Sequence, residues 1–373
     1  MRRINMFIYE YEDWPRFTWQ SDIVLTRLSE VKLQQGFLLG KMSGLGFHLQ
    51  EQALLQVLTE DVTKSSEIEG QNLDLLQVRS SIARRLGLDI ENSVQADRDV
   101  EGIVEMMLDA TQHYDLEMTE DRLKSWQAAL FPSGSSGFYR IITGQYRDDK
   151  KGPMQVVSGP VSRVHYQAPA TEKLPSEMQA LVTFINGDNL DNILKAGIVH
   201  LWFVMLHPFE DGNGRIARAL SDLVIARSEN SSLRFYSISS QIKKNRNSYY
   251  EILEQTGKSS PDITGWLMWF LENLLQSIQN SDQLMQKILL KAKFWEQYKD
   301  AVSGERQRKI LNKLLDDFQG NLTTKKWAAI CRCSHDTANR DIQDLIDRGI
   351  LKKNGDGRST CYTFADSLHD IIQ

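Results

Sequence analysis

One segment gathers residue types that do chemistry together: His207-Pro-Phe-Glu-Asp-Gly-Asn-Gly-Arg-Ile-Ala-Arg218. Two glycines, Gly212 and Gly214, let backbone approach a ligand closely. Successive N–H groups at a helix N-terminus, running through Asn213, form a nest for an anion. Arg215 and Arg218 supply charge-assisted hydrogen bonds to phosphate oxygens. Asp211 or Glu210 offers the hard oxygen that Mg2+ takes alongside substrate phosphates. His207, with an ordinary pKa of ~6.5, accepts a proton near neutrality. Each of these residues alone is ordinary. Together they predict a site for a Mg2+–nucleotide complex with a general base at its edge.

The elements that must hold these residues are two helices. Ile193 to Leu206 is an apolar helix, and Ile216, Leu220, Leu223 and Val224 mark the next. Pro208 ends the first, because the residue before a proline is pushed out of the α region. His207 therefore sits at a helix end. Gly212-Asn213-Gly214 lies on the turn that opens the following helix, and Phe209 packs inward to fix the loop.

The segment His207–Arg218 resembles the signature of the Fic domain family, H-P-F-x-D/E-G-N-G-R-x-x-R, at every defined position. The resemblance implies an enzyme that transfers AMP from ATP to a hydroxyl side chain of a target protein and releases pyrophosphate. It implies that His207 deprotonates the hydroxyl and that Asp211 holds Mg2+ between the α- and β-phosphates. Gly212, Asn213 and Gly214 would cradle the phosphates, and Arg215 and Arg218 would take the β/γ end. Nucleotidyl transfer suits such a set, since it needs positioning and charge neutralisation more than covalent catalysis.

Three further segments bear on this resemblance. Val156, Val157, Val161 and Val164 surround Ser158-Gly159-Pro160 and predict a short β-hairpin. An ordinary ribbon would share that pattern, but the family places a flap there, which pairs with an extended target segment by strand addition. Gly144-Gln-Tyr-Arg147 just before it is also similar to the family. Asn245-Arg-Asn-Ser-Tyr-Tyr250 resembles the helix whose tyrosines flank the adenine, making Tyr249 and Tyr250 base-contact candidates, or else plain helix-face tyrosines. Seven residues beyond, where some relatives carry asparagine, this chain has Gly257. Ser65-Ser-Glu-Ile-Glu69-Gly70 resembles the family's inhibitory motif, S/T-x-x-x-E-G/N. The implied mechanism is a Glu69–Arg218 pair that keeps the arginine from the γ-phosphate, with Gly70 ending the helix.

The rest of the chain sets the frame. Of 373 residues, 41% are apolar and 25% charged, which predicts a globular protein of two or three domains. A net charge of −5 argues against coating nucleic acid by bulk positive charge. Three cysteines make no disulfide framework and suit a reducing compartment. Met6 to Tyr9 is too short for a signal-peptide core, and the longest apolar run, Ala196 to Leu206, is broken by His200 and falls far short of the ~20 residues of a membrane span. The expectation is a cytoplasmic protein with no membrane contact. Leu54, Leu55 and Leu58 share one helix face, and Leu75, Val78 and Ile82 another. Asp262 caps a helix carrying Ile263, Trp266, Leu267, Phe270, Leu271, Leu274 and Leu275, and a separate helix follows over about 282–299. Pro132 to Gly137 reads as a loop. The aromatics of Tyr11 to Trp19 resemble an extension of larger bacterial relatives and are assigned no chemistry.

Beyond Gly304 the pattern is three helices and a hairpin. Ile310, Leu311, Leu314 and Leu315 mark the first, Thr323 or Thr324 caps the second, and Ser334 caps the third, which Gly349 stops. Ile350-Leu351 and Cys361 to Phe364 are strands. That order predicts a winged helix-turn-helix. Its third helix carries Arg340 and Arg348 against Asp336, Asp341, Asp344 and Asp347, a poor match to phosphate even with Lys352, Lys353 and Arg358 beside it. DNA is therefore a less favoured partner than a protein or a second copy in a homodimer. Cys331, Cys333, Cys361 and His335 lack a zinc spacing.

The expected architecture is thus mainly α. Residues 1–100 form a helical region with the inhibitory motif, 101–300 a Fic catalytic domain with a β-hairpin flap, and 301–373 a winged helix domain. The expected activity is a Mg2+-dependent, self-inhibited protein adenylyltransferase that uses ATP and acts on a Ser, Thr or Tyr hydroxyl of a target protein and of itself. The rivals are a transcription regulator that only senses nucleotide, and a related enzyme acting on UMP, phosphate or bound AMP.

Overall fold

Helical periodicity is realised throughout the computed structural model, which describes residues 6–90, 93–150, 152–158, 163–187, 190–302, 304–315, 318, 320–357 and 360–365. The chain divides into two compact units, Met1–Ser281 and Asp282–Gln373. Among the described residues the α-helices of the first unit are α1 (Ser21–Ser43), α2 (Phe47–Ile68), α3 (Leu75–Leu86), α4 (Arg98–Gln112), α5 (Glu120–Leu130), α6 (Leu174–Asn186), α7 (Asn192–Leu206), α8 (Asn213–Glu229), α9 (Ile238–Lys244) and α10 (Arg246–Gly257). A long helix, α11 (Thr264–Tyr298), follows. No helix among the described residues is long and apolar enough to cross a membrane.

Side-chain caps explain where several helices start. Asp74 accepts a hydrogen bond from the Gln77 N–H, Thr119 from Arg122 and Asp191 from Ile193. The Asp262 carboxylate accepts from the Thr264 N–H at 2.9 Å and starts α11. This helix does not stop near residue 280. The stretch from Ser277 to Asp282 holds no glycine or proline, and the Ser277 hydroxyl donates back to the Leu274 carbonyl at 2.7 Å. The separate helix expected over 282–299 is therefore the continuation of α11, because nothing in the sequence breaks it.

The centre of the first unit is α7, buried from Ile193 to Phe203 on every side, with α8 packed beside it. Trp266 of α11 is fully buried and donates its indole N–H to the Gly197 carbonyl of α7 at 2.8 Å. The N-terminal aromatics belong to this core. Trp14 and Phe17 pack edge-on against Trp202, and Thr18 is bonded through its backbone to Pro261 and Ile263.

Among the described residues three small antiparallel ribbons accompany the helices. Ser135–Ser136 (β1) pairs with Tyr139–Arg140 (β2), so the segment read as a loop contains a short ribbon closed at Gly137 and Phe138. Gln155–Ser158 (β3) pairs with Arg163–Gln167 (β4), the hairpin expected from the valine pattern. Its turn, with Gly159, Pro160 and Val161, lies outside the described residues. Tyr166 anchors this hairpin by donating its hydroxyl to the Met205 carbonyl at 2.9 Å.

In the second unit α12 (Glu305–Leu315), α13 (Thr324–Cys331) and α14 (His335–Asp347) precede Leu351–Asn354 (β5) and Cys361–Phe364 (β6). Thr323 and Ser334 cap α13 and α14, and Trp327, Ile310, Leu311 and Leu345 form the core. Three of the four acids on α14 have partners. Asp341 takes Arg306 in a two-pronged ion pair at 2.7 and 3.1 Å, Asp344 accepts from Gln307 and Arg348, and Asp347 accepts from Gln343. Arg358 lies outside the described residues. The three cysteines are free thiols, each partly buried.

Replacing Trp266 with alanine is expected to cost about 3–5 kcal/mol, the usual range for deleting a buried tryptophan. The Gly197 carbonyl would also lose its partner. Urea denaturation followed by circular dichroism measures the loss, and an unchanged midpoint would contradict this account of the core.

Candidate functional site

The loop between α7 and α8 is held in an uncommon shape. α7 ends at Leu206 and His207 takes left-handed backbone angles, φ 47° and ψ 56°, its N–H donating to the Phe203 carbonyl. Such angles are strained for a residue with a side chain and persist only where the surroundings enforce them. Arg147 does so here. It is buried, its Nε donates to the His207 carbonyl at 2.8 Å, and its backbone N–H donates to the Pro208 carbonyl at 2.9 Å. Its remaining nitrogens reach Asp149 and the Pro169 carbonyl, each at 2.6 Å. Sequence reasoning noted the segment ending at Arg147 but gave the residue no task.

Asn213 closes the loop from the other side. Its side-chain amide donates to the Phe209 carbonyl at 2.8 Å, and its side-chain oxygen accepts from the Phe209 N–H at 3.0 Å. Its side chain thus pins the loop, and only its backbone faces the helix entrance. Phe209 is fully buried, as its expected inward packing requires.

The His207 Nδ1–H lies 3.2 Å from the Val204 carbonyl, its acceptor, which leaves the lone pair on Nε2. Burial pushes the imidazole below its ordinary pKa, and Arg147 pushes in the same direction. A neutral ring with a free Nε2 is the state a general base needs.

The two acids of the loop have separate tasks. Glu210 accepts from the Ile142 N–H at 2.7 Å and braces the segment before Arg147. Asp211 is more open, its side chain 42% exposed. One of its oxygens accepts from the Gly212 N–H at 2.5 Å and the other from the Ser136 hydroxyl of β1. The carboxylate plane is therefore fixed while outward lone pairs stay available. Of the two acids, Asp211 fits a Mg2+ ion shared with phosphates. Ser136 escaped sequence reasoning because a Ser-Gly-rich loop carries no signal for contact with the signature.

At the start of α8, Gly212 has φ 90°, and a Cβ there would meet Leu130 and Phe131 at 3.0 Å. Gly214 is excluded from bearing a side chain for another reason: its Cβ would lie 2.2 Å from Oε1 of Glu69. Arg215 is buried, stacks its guanidinium 4.9 Å from the Phe131 ring centre, and donates to Gln71 at 3.0 Å. Its Nε has no partner.

Arg218 is 0% exposed. Its Nε donates to the Ser65 hydroxyl and its Nη2 to the Ser65 carbonyl, both at 2.9 Å, and Nη2 also donates to Glu69 Oε1 at 2.8 Å. Nη1 is buried without a partner. Burial alone would lower the Arg218 pKa, but the Glu69 carboxylate raises it above the ordinary value. The sequence-predicted pair Glu69–Arg218 is thus formed. Glu69 stands at the end of α2, where Gly70 turns left-handed at φ 84°.

The two tyrosines part company. Tyr249 is buried, its hydroxyl 2.8 Å from His200 Nε2 and its ring tilted against Trp269. Tyr250 is 38% exposed, and its hydroxyl donates to the Ile68 carbonyl at 3.2 Å. At Gly257 a Cβ would lie 2.9 Å from the Tyr166 ring, so the flap anchor occupies the space an asparagine there would need.

Residues 117–225 match the Fic/DOC family, and residues 7–88 match a domain of unknown function, DUF4172. Over 62 residues, 16% of this chain, it is 39% identical to the protein adenylyltransferase fic-1 of Caenorhabditis briggsae, and it spans 12% of that protein. Over 174 residues it is 23% identical to the protein adenylyltransferase and cysteine protease IbpA of Histophilus somni, covering 46% of this chain and 4% of that one. The chain therefore corresponds to a small part of the length of these relatives. A Fic family protein from Desulfovibrio desulfuricans shares the fold with a TM-score of 0.54 at 17% identity, over 92% of this chain and 96% of that one. A Fic domain containing signaling protein from Bacteroides thetaiotaomicron does so with a TM-score of 0.52 at 22% identity, over 69% and 96%. The family match covers the very loop that carries His207, Asp211 and the two arginines, and it identifies residues 117–225 of this chain as a Fic/DOC family domain.

Proposed function

We propose that the protein is an autoinhibited adenylyltransferase that moves AMP from ATP to a hydroxyl side chain of a target protein, and to itself. The observation that carries this reading is one loop holding a neutral imidazole, a fixed and open carboxylate, and a helix entrance with two buried guanidiniums that still have unused N–H groups. The names of the worm and Histophilus relatives, both protein adenylyltransferases, support the same chemistry.

In the proposed reaction His207 Nε2 accepts the proton of the target hydroxyl. That oxygen forms a bond to the α-phosphorus, the bond from the α-phosphorus to the bridging oxygen breaks, and pyrophosphate leaves with the electron pair. A Mg2+ ion held by Asp211 would neutralise charge on the phosphate oxygens. The backbone N–H groups at Asn213 and Gly214 bind the phosphates, while the Gly212 N–H holds Asp211 in place. Arg215 and Arg218 take the distal end once Glu69 has left Arg218 and the space over Gly214. Tyr250 offers an exposed ring for the base, while Tyr249 supports it from the core.

Glu69 opposes this in two ways. Its carboxylate ties up Nη2 of Arg218, and it fills the space directly over Gly214, where a phosphate would lie. ATP binding with Glu69 in place leaves the arginine pair incomplete and the donor misplaced.

Glu69→Gly is expected to raise self-modification by labelled ATP roughly 10- to 100-fold, the equivalent of one charge-assisted hydrogen bond. Mass spectrometry after incubation with ATP and Mg2+ should show an added adenylyl group. An unmodified mass for this variant, with and without candidate targets, would defeat the adenylylation reading. In the same background His207→Ala should lower the rate by about 10²–10⁴, the usual worth of a positioned base.

The pH dependence follows from the imidazole. The base works only while unprotonated, and burial lowers its pKa, so activity is retained as pH falls past ~6.5 and is lost only below that value. The acid limb of kcat/KM for Glu69→Gly, measured by a fixed-time labelled transfer assay, should have its midpoint under 6.5. A midpoint above it contradicts His207 as the base.

A further inference from the structure

A helix leaves its last four carbonyls without partners inside the helix, and its partial negative charge gathers there. In α2 these are the carbonyls of Ser65, Ser66, Glu67 and Ile68, immediately before Glu69. Turn N–H groups serve Ser66 and, in part, Glu67. The rest comes from cations of the first unit. Arg218 holds the Ser65 carbonyl. Lys243, near the end of α9, donates its Nζ to the Glu67 carbonyl at 2.8 Å and lies 3.6 Å from the Glu67 carboxylate. Arg246, the first residue of α10, donates its Nε to the Ile68 carbonyl at 2.8 Å. Tyr250 donates to that same carbonyl, and the Arg246 guanidinium lies 5.2 Å from the Tyr250 ring centre.

Glu69 follows Ile68, so the peptide group that leads into Glu69 is the one Arg246 and Tyr250 hold. Few rotatable bonds separate that anchor from the carboxylate. The ion pair with Arg218 therefore orders the side-chain torsions of Glu69 but not the backbone that carries it, which removes the backbone part of the entropy cost of such a pair.

We propose that Lys243 and Arg246 are positioning residues of the resting state: they clamp the carbonyl end of α2 and set the reach of Glu69 over Gly214 and onto Arg218. The proposal rests on the inhibitory reading of Glu69. Neither residue belongs to the Fic signature or to the inhibitory motif. The clamp makes α9 and α10, and not α8 alone, partners of the inhibitory helix.

The test compares self-modification by labelled ATP in wild type, Glu69→Gly, Lys243→Ala/Arg246→Ala, and the three changes combined. The double variant should gain about tenfold over wild type, the size of one charge-assisted hydrogen bond. The same two changes added to Glu69→Gly should give no further gain, a pattern that a general loosening of the fold would not produce. Arg246→Lys, which keeps a cationic donor near Ile68, should remain closer to wild type than Arg246→Ala. If Glu69→Gly is activated and the double variant is not, the clamp is wrong while the inhibitory reading stands. If Glu69→Gly itself gains nothing, the inhibitory reading has failed. A second measurement avoids activity altogether. Without nucleotide, amides of residues 66–71 should exchange hydrogen faster in Arg246→Ala, with α7 unchanged, and equal exchange there would overturn the clamp.

Discussion

A guanidinium with no exposed surface must find its partners inside the protein or destabilise it. Arg218 meets that constraint with residues of a single foreign element. Ser65 supplies a hydroxyl and a carbonyl, and Glu69 supplies the charge. Everything else about the site follows from where α2 must lie to provide them. Gly214 must lack a side chain because Glu69 rests on it, and α2 must end where it does for Glu69 to reach. Gly70, in turn, takes the left-handed conformation that lets the chain turn away immediately afterwards.

The catalytic loop solves a second problem with the opposite logic. Its strained residue, His207, carries the side chain that the proposed chemistry needs, and its stability is borrowed from neighbours. Arg147 bonds both the His207 carbonyl and the Pro208 carbonyl, Asn213 bonds Phe209 twice, and Glu210 bonds Ile142. Side chains that look like ligands in the sequence thus turn out to be fasteners. Those left with open chemistry are fewer: the His207 Nε2, the outward face of Asp211, and unused N–H groups on two arginines. A rigid frame around a few unsatisfied groups is what preorganised electrostatic catalysis requires.

Much of this was legible in the sequence. The apolar runs on either side of Pro208 gave the two helices, and the spacing from His207 to Arg218 placed base, carboxylate and arginines on one loop. The Glu69–Arg218 pair, 149 residues apart, was legible only through the likeness of two motifs, since no local rule predicts a contact at that separation. What sequence could not supply was tertiary assignment. Tyr249 and Tyr250 are adjacent and chemically alike, yet one is sealed against His200 and the other faces outward, because α10 turns only one face to the core. Ser136 and Arg147 lie in stretches with no periodicity, so their bonds to Asp211 and His207 depend on how loops fold back. The continuation of α11 past residue 281 was hidden because serine and asparagine favour turns locally but do not forbid a helix whose neighbouring residues on both sides favour it.

The pattern of bonds on Arg218 also bears on how readily the proposed resting state gives way. Its Nε and one hydrogen of Nη2 are held by Ser65 through a buried hydroxyl and a buried backbone carbonyl, while Nη1 is already without a partner. Nη1 borders the space that Glu69 fills, so a phosphate oxygen reaches it once the carboxylate moves aside, and then relieves an unsatisfied donor. Only the bond to Glu69 stands between the present arrangement and one in which both terminal nitrogens face the ligand. The energetic gap between the two states is then set by one carboxylate and by whatever holds it in position. That is a local change compared with repacking a core, because it involves one carboxylate and the peptide groups that hold it.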